Sequence, residues 1–171
     1  MPILNSQIGK NFTAWYSVNI YDCIIGDNCK IGSYTEMGHV ILGNNVSVGA
    51  HSFIPEGVIV EDNVFIGPRF CGTNDMYPPS GKEEWGKILI KMGARIGANV
   101  TVLPGVVIGE GALIGAGSIV TKNVPDGETW KGNPARPSVS HRENISPVPC
   151  GFGGVASFPL STPPILKYGE L

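Results

Sequence analysis

The chain has 171 residues, 42% hydrophobic and 15% charged, with a net charge of −2. These values suit one domain with a small appendage and give no general attraction to nucleic acid or an anionic membrane. No apolar run approaches the length of a membrane span, and the opening MPILNSQIGK lacks the apolar core of a secretory leader, so a cytoplasmic protein is expected. Its four cysteines form no CxxC pair, which points away from zinc, redox work and a disulfide framework.

Along residues 1–24, Ile8, Ala14 and Ile20 recur every six positions before a five-residue correction to Ile25, which reads as an imperfect opening coil that caps one end. The period then becomes strict. Ile25, Ile31, Met37, Leu42, Val48, Ile54, Val60 and Ile66 stand in register, with one five-residue step between Met37 and Leu42. Ile90, Ile96, Val102, Ile108, Ile114 and Val120 continue it. Two residues before most of these sits a small or β-branched partner, from Cys23, Cys29 and Thr35 through Ala112 and Ser118.

A strand alternates with period two and a helix with period 3.6. A strict six therefore predicts short strands joined by repeated corners, stacked as a solenoid. The expected form is an all-β, triangular parallel β-helix in which three hexapeptides, eighteen residues, close one coil. Each buried Ile or Val contributes about 1.5–3 kcal/mol, while Gly, Asn and Asp supply the corner backbone. Cys23 and Cys29 fall on small inward positions and read as compact core residues.

Between Ile66 and Ile90 the pattern dissolves into a Pro-, Gly- and polar-rich stretch, expected as an extruded loop at about 68–87. After Val120, TKNVPDGETWKGNPARP should close the second end. The division expected is a β-helix over 1–137 and an irregular tail over 138–171, to which no role is assigned.

With the interior filled by aliphatic groups, chemistry belongs outside. His39 and His51 follow core positions by two and three residues, which puts both near corners and outward, as exposed residues or as general bases. Asn74 and Asp75 read either as turn residues ahead of Tyr77-Pro78 or as a pair beside an acceptor. Arg69 suits a diphosphate, and Tyr77 and Trp85 suit either stacking on a ligand or packing against a neighbour. Ala98 and Ala116, eighteen residues apart, should lie one above the other on consecutive coils. The three histidines, His39, His51 and His141, do not make a metal-ligand set, so no metal is expected.

The repeats, the segment GARIGANVTVLPGVVIGEGALIGAGSIVTKNVP and the closing GNPAR resemble the hexapeptide-repeat acyltransferases, left-handed parallel β-helices that act as trimers. The resemblance covers roughly residues 8–137. Asp62-Asn63-Val64-Phe65-Ile66-Gly67-Pro68, followed by Thr73-Asn74-Asp75-Met76-Tyr77-Pro78, is similar to the branch that N-acetylates amino groups on nucleotide-linked sugars.

The resemblance implies an acetyl-CoA-dependent N-acetyltransferase acting on a dTDP- or UDP-linked amino sugar for polysaccharide or glycan synthesis. It further implies a homotrimer with sites between subunits. Under it, Asn74 orients the acceptor amine, Asp75 accepts a hydrogen bond from that amine or from a histidine, and His51 is the candidate base. Arg69, Tyr77 and His39 belong to the acceptor side. Ala98, Ala116, Thr121 and Lys122 contact CoA, with Lys122 on phosphate and Arg136 on the 3′-phosphate.

Two features depart from the pattern: Gly72 stands where related loops often carry a bulky apolar residue, and the segment from Pro78 to Trp85 is brief. The competing readings are O-acetylation of a sugar or serine-type hydroxyl, which demands a true base, and a non-catalytic β-helix assembly protein. A β-helix of the carbonic anhydrase kind would need three histidine ligands at a subunit interface, which these histidines do not supply.

Overall fold

The computed structural model describes residues 3–138. The tail expected over 138–171 therefore lies, apart from Ser138, outside the described residues. The chain winds as a parallel β-solenoid whose coils each contribute one short strand to each of three sheets. Face one holds seven strands, from Ile3–Leu4 to Ile119–Val120; face two holds six, from Gln7–Ile8 to Val107–Ile108; face three holds eight, from Thr13–Ala14 to Arg136–Pro137.

All fourteen aliphatic residues of the six-residue period are buried, as are the small partners two positions earlier. Residues between them alternate outward, so each two-residue strand turns one side chain in and one out. The inward polar groups bond to corner carbonyls: Ser52 Oγ donates to Gly49 O at 2.8 Å, Ser118 Oγ to Gly115 O at 2.6 Å and Thr35 Oγ1 to Gly49 O at 3.2 Å. Cys23 and Cys29 are buried in the same columns, and desolvation pushes both thiols above the ordinary range.

The coil is shorter than expected in the lower half. Ile3 pairs with Ile20, Ile20 with Met37 and Lys30 with Ser47, each a step of seventeen residues, because the first edge closes with one residue fewer. From Ile41 pairing with Ile59 the step is eighteen, falling to sixteen at the top where Leu113 pairs with Thr129, and for the three strand pairs that span the loop, Cys71 with Thr101 among them, it is thirty. That longer step carries the loop, which is narrower than the expected 68–87. Cys71–Gly72 is still a strand of face one, paired with Phe53 below and Thr101–Val102 above. The period is lost there because Gly72 takes an inward position while the buried Phe70 ring fills the space, 3.4 Å from where a Gly72 Cβ would stand. The protruding segment runs over 74–86 and is closed at its base by Gly86 N–H donating to Asn74 O at 2.8 Å.

Each edge of the prism turns on a left-handed residue. The second edge, between faces two and three, uses Asn11, Asn28, Asn45 and Asn63, then Gly93, Gly111 and Gly127. The third edge, between faces three and one, uses Ser17, Tyr34, His51, Arg69, Asn99 and Gly117. The first edge, between faces one and two, uses Asn5, Asp22, His39, Gly57 and Gly105, and carries the loop. On the second and third edges a glycine two residues before the left-handed one packs under the next coil at most corners: a Cβ on Gly49 would lie 2.3 Å from Pro68 N, and one on Gly97 2.5 Å from Ala116 N. At the upper end the antiparallel pair Thr129–Lys131 and Arg136–Pro137, with buried Trp130 and Ala135, closes the stack. The opening coil is looser, with Ile8 exposed and Ala14 half-buried. Among the described residues no helix is long and apolar enough to cross a membrane.

Candidate active site

The third edge gathers four of the residues singled out in the sequence. Ala98 and Ala116 do stack on consecutive coils, with Gly117 N–H donating to Ala98 O at 2.8 Å. The same column descends through Asn99 N–H to Pro68 O, Arg69 N–H to Ala50 O and His51 N–H to Ser33 O. Arg69 and His51 hold left-handed backbone at φ 60° and 59°, and both side chains are exposed. The His51 ring stacks on Tyr34 with centroids 4.9 Å apart. Holding large side chains in this conformation costs about 1–2 kcal/mol each relative to Gly or Asn.

The first edge gathers another set. His39 (φ 53°) is exposed, with Nε2 3.7 Å from Asp22 Oδ2 and its ring edge-on to Tyr21 at 5.8 Å. The loop over 74–86 leaves the prism at this edge, and Thr121 and Lys122 follow the last strand of face one into the same edge at the upper end. Arg136 lies in the closing hairpin, exposed, with Nη1 donating to Ala135 O at 2.8 Å.

Within the loop, Asn74 and Asp75 have different work. The Asp75 carboxylate organises the turn: Oδ1 accepts from Tyr77 N–H at 3.0 Å and from Ser80 Oγ at 2.8 Å, and Oδ2 accepts from Ser80 N–H at 2.9 Å. These bonds, the Ser80 backbone bond first, hold its pKa below the usual carboxylate value. Asn74 gives its carbonyl to Gly86, while its half-exposed side-chain amide has no hydrogen-bond partner among the described residues. Tyr77 is exposed at the loop tip. Lys82 Nζ anchors the loop to the coil below through Glu56 Oε2 at 2.7 Å. Ser80, Gly86 and the Lys82–Glu56 pair were not singled out in the sequence; the Asx-turn spacing from Asp75 to Tyr77 was the available signal.

The structure thus divides the candidates between edges. His51, Arg69, Ala98 and Ala116 lie on the third, and His39, Asn74, Asp75, Tyr77, Thr121 and Lys122 on the first. Faces two and three separate the edges on one side and face one on the other, so one chain does not wrap all of them around one ligand.

Residues 87–122 match the family model described as bacterial transferase hexapeptide (six repeats), and residues 23–56 and 39–68 match the hexapeptide repeat of succinyl-transferase. The chain belongs to the hexapeptide-repeat family. It is 57% identical over 133 residues to YvoF of Bacillus subtilis (strain 168), whose name proposes an acetyltransferase, covering 78% of this chain and 59% of that protein. It is 50% identical over 54 residues to a dTDP-3-amino-3,6-dideoxy-alpha-D-galactopyranose 3-N-acetyltransferase of Aneurinibacillus thermoaerophilus, covering 32% of this chain and 28% of that one. The chain spans less than two thirds of the length of these relatives. Among solved structures, it is similar to a variant of AntD, an N-acyltransferase from Bacillus cereus, in complex with dTDP-4-amino-4,6-dideoxyglucose and coenzyme A. The TM-score is 0.70 at 26% identity, with 79% of this chain and 82% of that chain covered.

Proposed function

We propose that this hexapeptide-repeat protein is an acetyl-CoA-dependent N-acetyltransferase acting on the amino group of a nucleotide-linked amino sugar, working in the cytoplasm as a homotrimer. The observation that carries the reading is the likeness, over most of the chain, to an N-acyltransferase whose structure holds a dTDP-linked amino sugar and coenzyme A.

The distribution of candidates between edges supports sites between subunits. The outward column of face two is aliphatic, with Ile24 and Ile41 49% and 43% exposed and Ile59, Leu89 and Val107 above them. Such a column needs a partner. Packing face two of one copy on face three of the next, around a threefold axis at the second edge, apposes the first edge of one copy to the third edge of its neighbour. Asn74, Thr121 and Lys122 of one copy then face His51, Arg69, Ala98 and Ala116 of the other. The pantetheine arm lies along Ala98 and Ala116, where small side chains admit it to the backbone, and the cations Lys122 and Arg136 receive CoA phosphates.

In the reaction a neutral amine attacks the thioester carbonyl. The new C–N bond forms, the C–S bond breaks, and the departing CoA thiolate takes up a proton equivalent to the one the nitrogen loses. A sugar amine flanked by hydroxyl-bearing carbons has a pKa below the ~10.4 of Lys, so a useful fraction is neutral near pH 7 and orientation matters more than a strong base. The free Asn74 amide holds that amine, with Asp75 fixing the turn and its singly bonded Oδ2 retaining room for an amine hydrogen. His51 stands as the base should the acceptor require one.

The test is to mix the protein with acetyl-CoA and a panel of nucleotide-linked amino and non-amino sugars, following thiol release and product mass. Acetylation confined to the amino sugars is the expected result. Acetylation of hydroxyl-only acceptors moves the assignment to O-acetylation, and no product with no CoA binding favours an assembly role. Loss of turnover in His51→Ala with Asn74→Ala unaffected replaces the orientation mechanism with a histidine base. For the shared site, mixed and co-refolded Asn74→Ala and Ala116→Trp chains should recover activity that neither has alone.

A further inference from the structure

We propose that the lower half of the third edge seats the nucleoside diphosphate of the acceptor, with the base against Trp15, Tyr16 and Tyr34 and the phosphates on Arg69. The inference rests on the acceptor class proposed above and names where that acceptor binds.

Three aromatic side chains lie exposed at the foot of this edge: Trp15 is 50%, Tyr16 75% and Tyr34 54% accessible. Tyr16 and Tyr34 form one cluster with His51, Tyr16 edge-on to Tyr34 at 6.3 Å and Tyr34 stacked on His51 at 4.9 Å, with 18° between the ring planes. The fold does not ask for them. At the equivalent corner of the second edge the chain uses Asn28 and Asn45, residues suited to left-handed backbone, whereas the third edge keeps Tyr34 at φ 60°, His51 at 59° and Arg69 at 60°. Bulky groups held in that conformation on successive coils, facing solvent, mark a surface retained for something other than the corner.

The column is continuous with the proposed donor groove. From Ala98 it descends one coil to Arg69, two to His51, three to Tyr34 and four to Tyr16, each coil linked to the next by an N–H···O bond, the last from Tyr34 N–H to Tyr16 O at 3.1 Å. At about 4.8 Å per coil, Arg69 and Tyr34 are roughly 10 Å apart along the edge, a reach suited to diphosphate, ribose and base. The chemistry runs in the same order: a guanidinium with no side-chain partner among the described residues for the phosphates, then exposed π-faces for the base. A thioester carried down the Ala116–Ala98 groove and an amino sugar linked to phosphates at Arg69 would therefore meet between Ala98 and Arg69, facing the neighbour's loop. A free, uncharged sugar would leave both Arg69 and the aromatic foot unused.

The experiment is calorimetric titration of the full chain with dTDP and with UDP, without acetyl-CoA. Wild type should bind at least one of them. Tyr34→Asn, which installs the residue used at the second-edge corners, should weaken binding at least tenfold without lowering the melting temperature. Tyr34→Phe should stay within twofold of wild type, and the more exposed Tyr16→Ala should lose at least threefold. Acetyl-CoA affinity should be the same in all four proteins. Undiminished nucleotide binding in Tyr34→Asn and Tyr16→Ala, or no binding of either nucleotide by wild type, overturns the proposal. Turnover separates the two readings. If wild type acetylates nucleotide-linked amino sugars and Tyr34→Asn leaves their KM unchanged, the seat is elsewhere and the enzyme assignment stands. If only free sugars are acetylated, the acceptor class falls as well.

Discussion

The second and third edges face the same backbone demand and meet it with opposite use of side chains. On the second edge the left-handed asparagines bond to one another: Asn11 Nδ2 donates to Asn28 Oδ1 at 3.0 Å, Asn28 Nδ2 to Asn45 Oδ1 at 3.2 Å and Asn45 Nδ2 to Asn63 Oδ1 at 3.2 Å. The amides are consumed in holding coil to coil. On the third edge Tyr34, His51 and Arg69 occupy the same conformation without such a ladder. In a solenoid whose interior is mostly aliphatic, corner residues thus serve either the stack or a ligand, and their hydrogen bonds tell which.

The change with the largest expected effect removes what the edges share. Gly97→Val places a Cβ 2.5 Å from Ala116 N, where only backbone could yield. The coils must separate, and a loss of about 3 kcal/mol or more is expected, read as loss of soluble protein or of the urea transition. Gly111→Ala on the second edge meets nothing within 4 Å and bears only the cost of φ +63°, about 1–2 kcal/mol. Equal losses in both variants would mean that the close coil contact at the third edge is not what limits the stack.

A paired substitution then separates support from function. Asn45→Ala removes two ladder bonds and puts Ala in a left-handed corner, so a loss of about 1–2 kcal/mol is expected with kcat/KM unchanged. His51→Asn should show the reverse, with urea stability equal to wild type or higher and turnover reduced. Under the orientation mechanism that reduction stays below about tenfold, while Asn74→Ala exceeds about a hundredfold. A matched stability loss in His51→Asn would make the third edge a second structural ladder.

Asp75 gives a smaller effect with a defined pH sign. Its folded pKa is depressed below 3.8 by the bonds from Ser80 and Tyr77. A depressed carboxylate contributes fully above its unfolded pKa and loses the contribution as pH falls through the folded value. The loop should therefore be held equally at pH 5 and pH 8 and loosen only below 3.8, seen as falling hydrogen-exchange protection of the Tyr77 and Ser80 amides. Asp75→Asn should remove that dependence and raise the acceptor KM several-fold while leaving the CoA KM alone. A change in protection between pH 5 and 8 would assign the loop's order to some other group.

Much of the prism was legible because burial in a solenoid leaves a strict sequence period: every aliphatic residue from Ile25 to Val120 placed in register is buried. The seventeen-residue coil was only half visible, since the five-residue corrections at Ile20–Ile25 and Met37–Leu42 were both seen but not that they fall on one edge and shorten each lower coil by one residue. The loop's lower boundary was misplaced because Gly72 and Phe70 exchange size across the core, which a period of aliphatic residues does not register. Ala116 above Ala98 followed from spacing alone, as did the outward histidines. The separation of Asn74 from His51 did not, because the phase of a residue tells its coil position while a twelve-residue excursion hides which edge it leaves. Tyr34 was legible in principle: it lies one coil below His51, but an aromatic residue at a corner resembles any exposed tyrosine until the stacking is seen.

The loop's anchor is the smallest lever and the sharpest contrast with the buried stack. Lys82 Nζ lies 2.7 Å from Glu56 Oε2 and 5.8 Å from the Trp85 ring centroid, with the Lys and Glu side chains 60% and 35% exposed. Exposed pairs of this kind contribute about 0–1 kcal/mol and are screened by salt. Lys82→Ala should leave the urea midpoint of the prism unchanged, because no core group moves, and raise the acceptor KM about twofold at low salt. Adding salt to about 0.5 M should shrink that difference as the Debye length falls well below 10 Å. A KM effect that persists in high salt would locate Lys82 in contact with the acceptor rather than with the prism. The loop would then join the third edge as a ligand surface instead of serving as the scaffold that presents Asn74.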